Sequence, residues 1–180
     1  MQPSEIIDFW YSDTMRKHWF SSTPELDREI KDKYEGVWER AAEGEFDHWQ
    51  DTPEGALALV IVLDQFPLNM FRSDPRSFQT ERKAVEVSRA AIGKGFDNEL
   101  GKDRLGFLFM PLMHGENLED QDLSVEKFGQ HGLTDNLRFA EHHRGIIRLF
   151  GRFPHRNAIL GRENTRAEDE YLASKEAFLG

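Results

Sequence analysis

The sequence predicts an all-α fold of about eight helices joined by short turns. Two observations carry that prediction. Alternating Val, Ile and Thr runs between turn dipeptides, which mark strands, do not occur. Helix punctuation recurs in their place. Thr-Pro-Glu appears at residues 23–25 and again at 52–54, each time supplying an N-cap, a first-turn proline and an early acid.

The elements follow in order. Ser4 can cap a short helix from Glu5 to Tyr11. Thr23 opens a helix to about Ala42, closed by Gly44. Thr52 opens the next. Its run Ala56-Leu-Ala-Leu-Val-Ile-Val-Leu63 is apolar on every face, as a buried central helix must be, before it reaches Asp64, Gln65 and Pro67. A helix from Pro75 to Ile92 turns Phe78, Ala84, Val85 and Val87 inward, and Gly93 and Gly95 end it. Asp103 can cap a helix to His114, with Pro111 expected to kink or break it. Leu118 to Phe128 presents Leu118, Val125 and Phe128 to the core. Asp135 to Phe150 follows, with Phe139, Ala140, Ile146, Ile147 and Phe150 on one arc. Thr165 and Glu168 have the form of a capping box that starts the last helix. Residues 1–180 contain no linker long enough to divide them, so one domain is expected.

Composition narrows the function classes. With no cysteine there is neither a disulfide framework nor a thiol nucleophile. The first residues lack the cationic and apolar regions of a signal peptide, and the longest apolar run is too short to span a bilayer. A cytoplasmic protein that does not insert in membranes is expected. The net charge of −10 argues against nucleic-acid binding. The charge is uneven: Arg138 to Arg166 holds seven arginines, no lysine and two acids, a local +5 that leaves −15 for the rest. Arginine suits planar, bidentate pairing with carboxylate or phosphate. The aromatics Phe9, Trp10, Trp19, Phe20, Trp38 and Trp49 sit at helical spacing, which core packing explains better than base stacking.

The segment from Phe150 to Arg162 concentrates the chemistry. Phe150, Phe153, Ile159 and Leu160 anchor it, and Arg152, His155, Arg156, Asn157 and Arg162 arm it. With backbone N–H groups of the turn after Pro154, its arginines can hold an anion. His143 falls inside the apolar arc of its helix, and a buried imidazole needs a partner at each nitrogen. Asp64 ends the most apolar helix and must be paired; the arginines of residues 150–162 are the expected partners, with Asn69 in the turn beyond Pro67. His114 and Glu116 flank Gly115, which can turn the backbone so that both face one pocket as an acid–base pair. A histidine–carboxylate metal set can be drawn from His114, Glu116, His143 and His155, but spacing alone does not fix a ligand set, so no metal and no cofactor is assigned. Phosphate-loop, dinucleotide and serine-elbow motifs are missing from the sequence.

These residues carry a resemblance. Asp8-Phe9-Trp10, Trp19-Phe20, Trp49, Thr52-Pro53, the stretch Leu63 to Arg72, Phe109 to Glu116, Gln121, His143, Ile147 and above all Phe150 to Arg162 resemble the bacterial domain-of-unknown-function family 924 over nearly the whole chain. The resemblance implies an all-helical, tetratricopeptide-repeat-like arrangement of antiparallel helix pairs and no established activity. Two positions depart from the family pattern: Leu68 stands where arginine is usual, and Gly115 where serine is usual.

Three functional readings follow. A binding module would receive an acidic peptide or an anionic small molecule in a groove formed by Asp64, Asn69, Arg152, Arg156, Asn157 and Arg162. A hydrolase- or lyase-type enzyme on an anionic small molecule would use His114, Glu116, His143 and His155. In the third, all of these residues hold the helices together.

Overall fold

Every residue from Gly55 to Pro67 is buried, and the apolar residues of this stretch belong to the larger of two apolar clusters. The computed structural model describes residues 1–179 and contains no strand among them. The helices are α1 (Pro3–Trp10), α2 (Asp13–Arg16), α3 (Pro24–Ala42), α4 (Pro53–Val60), α5 (Phe66–Met70), α6 (Glu81–Gly93), α7 (Lys102–His114), α8 (Leu118–Gln130), α9 (Thr134–Phe150) and α10 (Arg166–Leu172). None of them is long and apolar enough to cross a membrane.

The capping chemistry works as the sequence suggests at α3 and α4. Thr23 accepts the Leu26 N–H and Thr52 accepts the Gly55 N–H, with proline in each first turn. Gly55 is required for a second reason. A Cβ there would stand 2.1 Å from the Trp49 carbonyl oxygen, so any side chain would collide with backbone. On α3 the buried residues Leu26, Ile30, Tyr34, Val37, Trp38 and Ala41 recur at helical period. They pack with α1 and α5 through Phe9, Tyr34 and Phe66, whose rings lie 4.6–6.1 Å apart. α4 packs against α1, α6 and α7, and α8 lies between α7 and α9. Leu57 and Leu59 of α4, both fully buried, each contribute on the order of 1.5–3 kcal/mol of transfer free energy.

The helical path does not stop where α4 ends at Val60. Ile61–Gln65 forms a π turn, in which Phe66 N–H reaches back to Ile61 O, and α5 continues from it. The wide turn accommodates Pro67, which has no N–H to give. Leu63 O, the acceptor a regular helix would assign to residue 67, instead takes the Thr80 hydroxyl at 2.6 Å. Thr80 in turn accepts the Trp38 indole N–H at 2.9 Å. A proline has thus been accommodated inside the core with its acceptor satisfied from another helix.

Other expectations need correction. Gln2 caps α1 in place of Ser4, and Gly101 stands at the N-cap of α7, with Asp103 in its first turn. α7 runs through Pro111 without ending. The expected helix from Pro75 is two pieces, a 3-10 turn Pro75–Phe78 that the Asp74 side chain caps by accepting the Arg76 N–H, and then α6. Leu118, Phe139 and Phe20 are 42%, 60% and 80% exposed and are not core residues. The first two sit on arcs that no neighbouring helix covers, which a helical wheel cannot show.

Ile146, Ile147 and Phe153 form a second, smaller apolar cluster, joined by Phe150, Tyr171 and Phe178. It lies where α9 ends in Gly151, whose φ of +70° a side chain would resist. From that corner the chain enters the arginine-rich segment.

Candidate functional site

Two ion pairs lie beneath one cleft. The first is Asp64 with His114: both carboxylate oxygens of Asp64 accept from His114 Nδ1 at 3.0 Å. Gln65 Nε2 donates to Asp64 as well. Asp64 is buried, held by the π turn at the end of α4, and His114 is the last residue of α7. The second is Arg156 with Glu81: Arg156 Nη1 donates to Glu81 Oε2 at 2.7 Å, and Nη2 donates to the His114 carbonyl at 2.9 Å. The Arg156 guanidinium lies against the rings of Phe78 and Phe153, 4.3 and 4.7 Å from their centroids. Its contact to a backbone oxygen of residue 114 ties the two pairs together.

The cleft above them has a volume of about 340 Å³. His114, His143, His155, Arg156 and Arg72 supply its polar lining, and Phe78, Phe153, Ile159, Leu68 and Phe178 its apolar one. On the rim, Ser73 holds a φ of 61°, a left-handed conformation uncommon outside glycine.

The three imidazoles are shifted in opposite directions. Burial by itself favours neutral His114, but the adjacent Asp64 carboxylate outweighs burial, and its pKa is raised above 6.5. His143 is pushed down to about 4 by burial, only partly offset by its bond to a carbonyl. That bond, Nδ1–H to Phe139 O at 2.7 Å, fixes the tautomer, because a carbonyl can only accept. His143 Nε2 is therefore a lone pair. His155 is also pushed down to about 4, by burial and then by Arg156.

These directions set a pH dependence. A histidine with a raised folded pKa adds stability that is complete below its unfolded value and is lost as pH rises through the folded one. His114 therefore makes the protein less stable on the alkaline side of about 6.5. His143 and His155 act oppositely: their contribution is present above about 6.5 and is lost as pH falls towards about 4. Titration of the ring signals by NMR checks both. A His114 midpoint below 6.5 would overturn the charge assignment of the dyad.

The sequence-derived candidates thus separate into two groups. His114, His143, His155 and Arg156 line the cleft. Asp64 lies behind His114, and Asn69 donates to Gln65 O and accepts a long bond from Arg72 at 3.4 Å. The others form a clasp. Glu116 accepts both Nη atoms of Arg162, at 2.6 and 2.8 Å, and the Phe153 N–H at 2.7 Å. Those bonds outweigh its burial and hold its carboxyl below the usual range. Asn157 accepts from Arg162 Nε and donates to Asn164. Arg152 forks onto Glu168, which is pushed down to about 2 by that guanidinium.

Two expectations are corrected here. Asp64 pairs with a histidine, and the arginines of residues 150–162 find Glu81, Glu116 and Glu168 instead. His114 and Glu116 do not face one pocket, since Glu116 turns to the clasp. Gly115 has a φ of −68° that any residue can adopt, and a Cβ there would meet its neighbours at ordinary contact distances from 3.6 Å. No group of three or more His, Asp or Glu is arranged for a metal ion among the described residues.

Sequence reasoning missed Glu81, Arg72, Ser73 and Phe178. Glu81 carried a weak signal as a first-turn acid of α6. Glu168 was visible as a capping-box residue, and it serves Thr165 N–H and Arg152 together.

Comparison with known proteins is consistent with this picture of the fold. The family described as "Bacterial protein of unknown function (DUF924)" matches residues 6–176. A solved structure of a protein of unknown function from Agrobacterium tumefaciens is 35% identical and superposes with a TM-score of 0.88, over 95% of this chain and 96% of that one. A search of curated proteins gives no match.

Proposed function

The chain belongs to the bacterial DUF924 family of unknown function, and from the arrangement of its cleft we propose that it binds a small anionic molecule carrying an apolar group. The observation that carries this reading is the Asp64–His114 dyad in the cleft. Asp64 occupies Nδ1 and favours the imidazolium, leaving Nε2–H as a charged donor for a ligand oxygen. The volume of about 340 Å³ falls in the lower range of small-molecule sites. An acidic peptide fits less well, because the arginines that would read its side chains are paired within the protein. Leu68, at a position where the resemblance implies arginine, adds an apolar side chain to the cleft wall. The proposed surface is this cleft and not the concave face of a repeat superhelix.

Isothermal titration with inorganic phosphate, benzoate and phenyl phosphate tests the reading. At least one of the three is expected to bind, and His114→Gln is expected to weaken it roughly tenfold or more, as loss of a charge-assisted hydrogen bond implies. Equal affinity in His114→Gln, or no binding of any of them, overturns the reading.

One observation favours a catalytic version. His143 presents a lone pair and His114 a proton to the same cleft, the opposed protonation states that general acid–base chemistry requires. Glu116 takes no part in it, being committed to Arg162.

A further inference from the structure

The histidine side of the cleft is already covered by a ring of the same chain. Phe178 belongs to the irregular segment that follows α10. Its ring centroid lies 4.5 Å from His143, 5.0 Å from His155 and 6.1 Å from His142. The rings of His143 and His155 stand edge to face against it, at 61° and 85°. That is the arrangement aromatic pairs favour, and neutral imidazoles accept it without losing hydration of a charge.

The ring packs on the Ile146, Ile147 and Phe153 cluster, but the backbone that carries it is held only slightly. Phe178 N–H donates to the Tyr171 phenol oxygen at 2.9 Å, and Ser174, Lys175 and Glu176 before it are exposed. Leu179 beyond it is 72% exposed. The helix it hangs from is fixed far more firmly, by the fork of Arg152 on Glu168 and by the Thr165–Glu168 capping box. A segment with few buried contacts next to a well-anchored helix opens at low free-energy cost.

We propose that Phe178, a wall of the open cleft, also covers the rings of His143 and His155 where the ring of an aryl anion would stack, so that full ligand entry requires release of the segment after α10. This rests on the reading that the cleft takes an anion with an apolar group, and it names that group as an aromatic ring. The segment then competes with its ligand, and the apparent affinity is reduced by the fraction of molecules in which Phe178 is out.

The test uses the full chain, Phe178→Ala, and Tyr171→Phe, which keeps the packing but removes the acceptor of the Phe178 N–H. Without ligand, the His143 and His155 ring signals are titrated by NMR. Phenyl phosphate and inorganic phosphate are then titrated by calorimetry. In Phe178→Ala both histidines are expected to titrate closer to 6.5 than in the parent protein. Phenyl phosphate is expected to bind about tenfold more tightly, with Tyr171→Phe between the two and inorganic phosphate unchanged. Unaltered histidine titrations, or phenyl phosphate binding Phe178→Ala no more tightly than the parent, overturn the proposal while leaving anion binding in place. If neither anion binds any of the three proteins although the histidines do shift, the anion reading has failed and the aryl ligand falls with it.

Discussion

Arg156→Ala is expected to destabilise the protein by about 3–5 kcal/mol, the range for removing one member of a buried ion pair. Arg156 is 6% exposed, and its loss strands Glu81, frees the His114 carbonyl and removes the contacts to the Phe78 and Phe153 rings. At this chain length the melting temperature should fall by roughly 10 °C. Arg156→Lys keeps the charge but not the planar fork or the stacking, and should recover less than half of the loss. Denaturant unfolding measures both. A loss under about 1 kcal/mol would mean that Arg156 is a surface cation in solution.

Glu116→Ala should cost about 2–4 kcal/mol, somewhat less because the pair with Arg162 is only partly buried, with side chains 22% and 24% exposed. The change unties the end of α7 from the segment after α9, since Glu116 also holds the Phe153 N–H. The double variant Glu116→Ala/Arg162→Ala should be more stable than the sum of the single losses implies, by about 1–3 kcal/mol, because the second change removes a charge the first has left unpaired. Strict additivity in the unfolding free energies would show that the two side chains do not act together.

The parts of this fold that are legible in the sequence are those set by local rules. Thr-Pro-Glu starts place α3 and α4, the unbroken apolar run marks the central helix, and Gly151 marks the end of α9. The chemistry of the site is legible in kind. A carboxylate at Asp64 and an imidazole at His143, both in apolar surroundings, announce burial that must be compensated. Which partner compensates them is not legible, because it depends on how helices distant in sequence meet. Arg156 and Glu81 are 75 positions apart, and Asp64 and His114 are 50 apart. The count of arginines was likewise informative and incomplete: a +5 segment in an acidic chain can be neutralised by any acid that folding brings near it. A helical wheel places Phe139 with the core residues, yet it is exposed, because a wheel shows which residues share a face and not which face has a neighbour.

The π turn at Ile61–Gln65 has a consequence for insertions and deletions. One extra residue in a turn rotates all that follows by about 100° relative to an unbroken α-helix. Leu68 and Arg72 reach the cleft wall through that rotation. A relative lacking one residue between positions 61 and 65 would have a more regular helix, yet would aim a different set of side chains at His114. The spacing between the Thr-Pro-Glu start and Asp64 therefore matters to the cleft as much as the identity of the residues that line it.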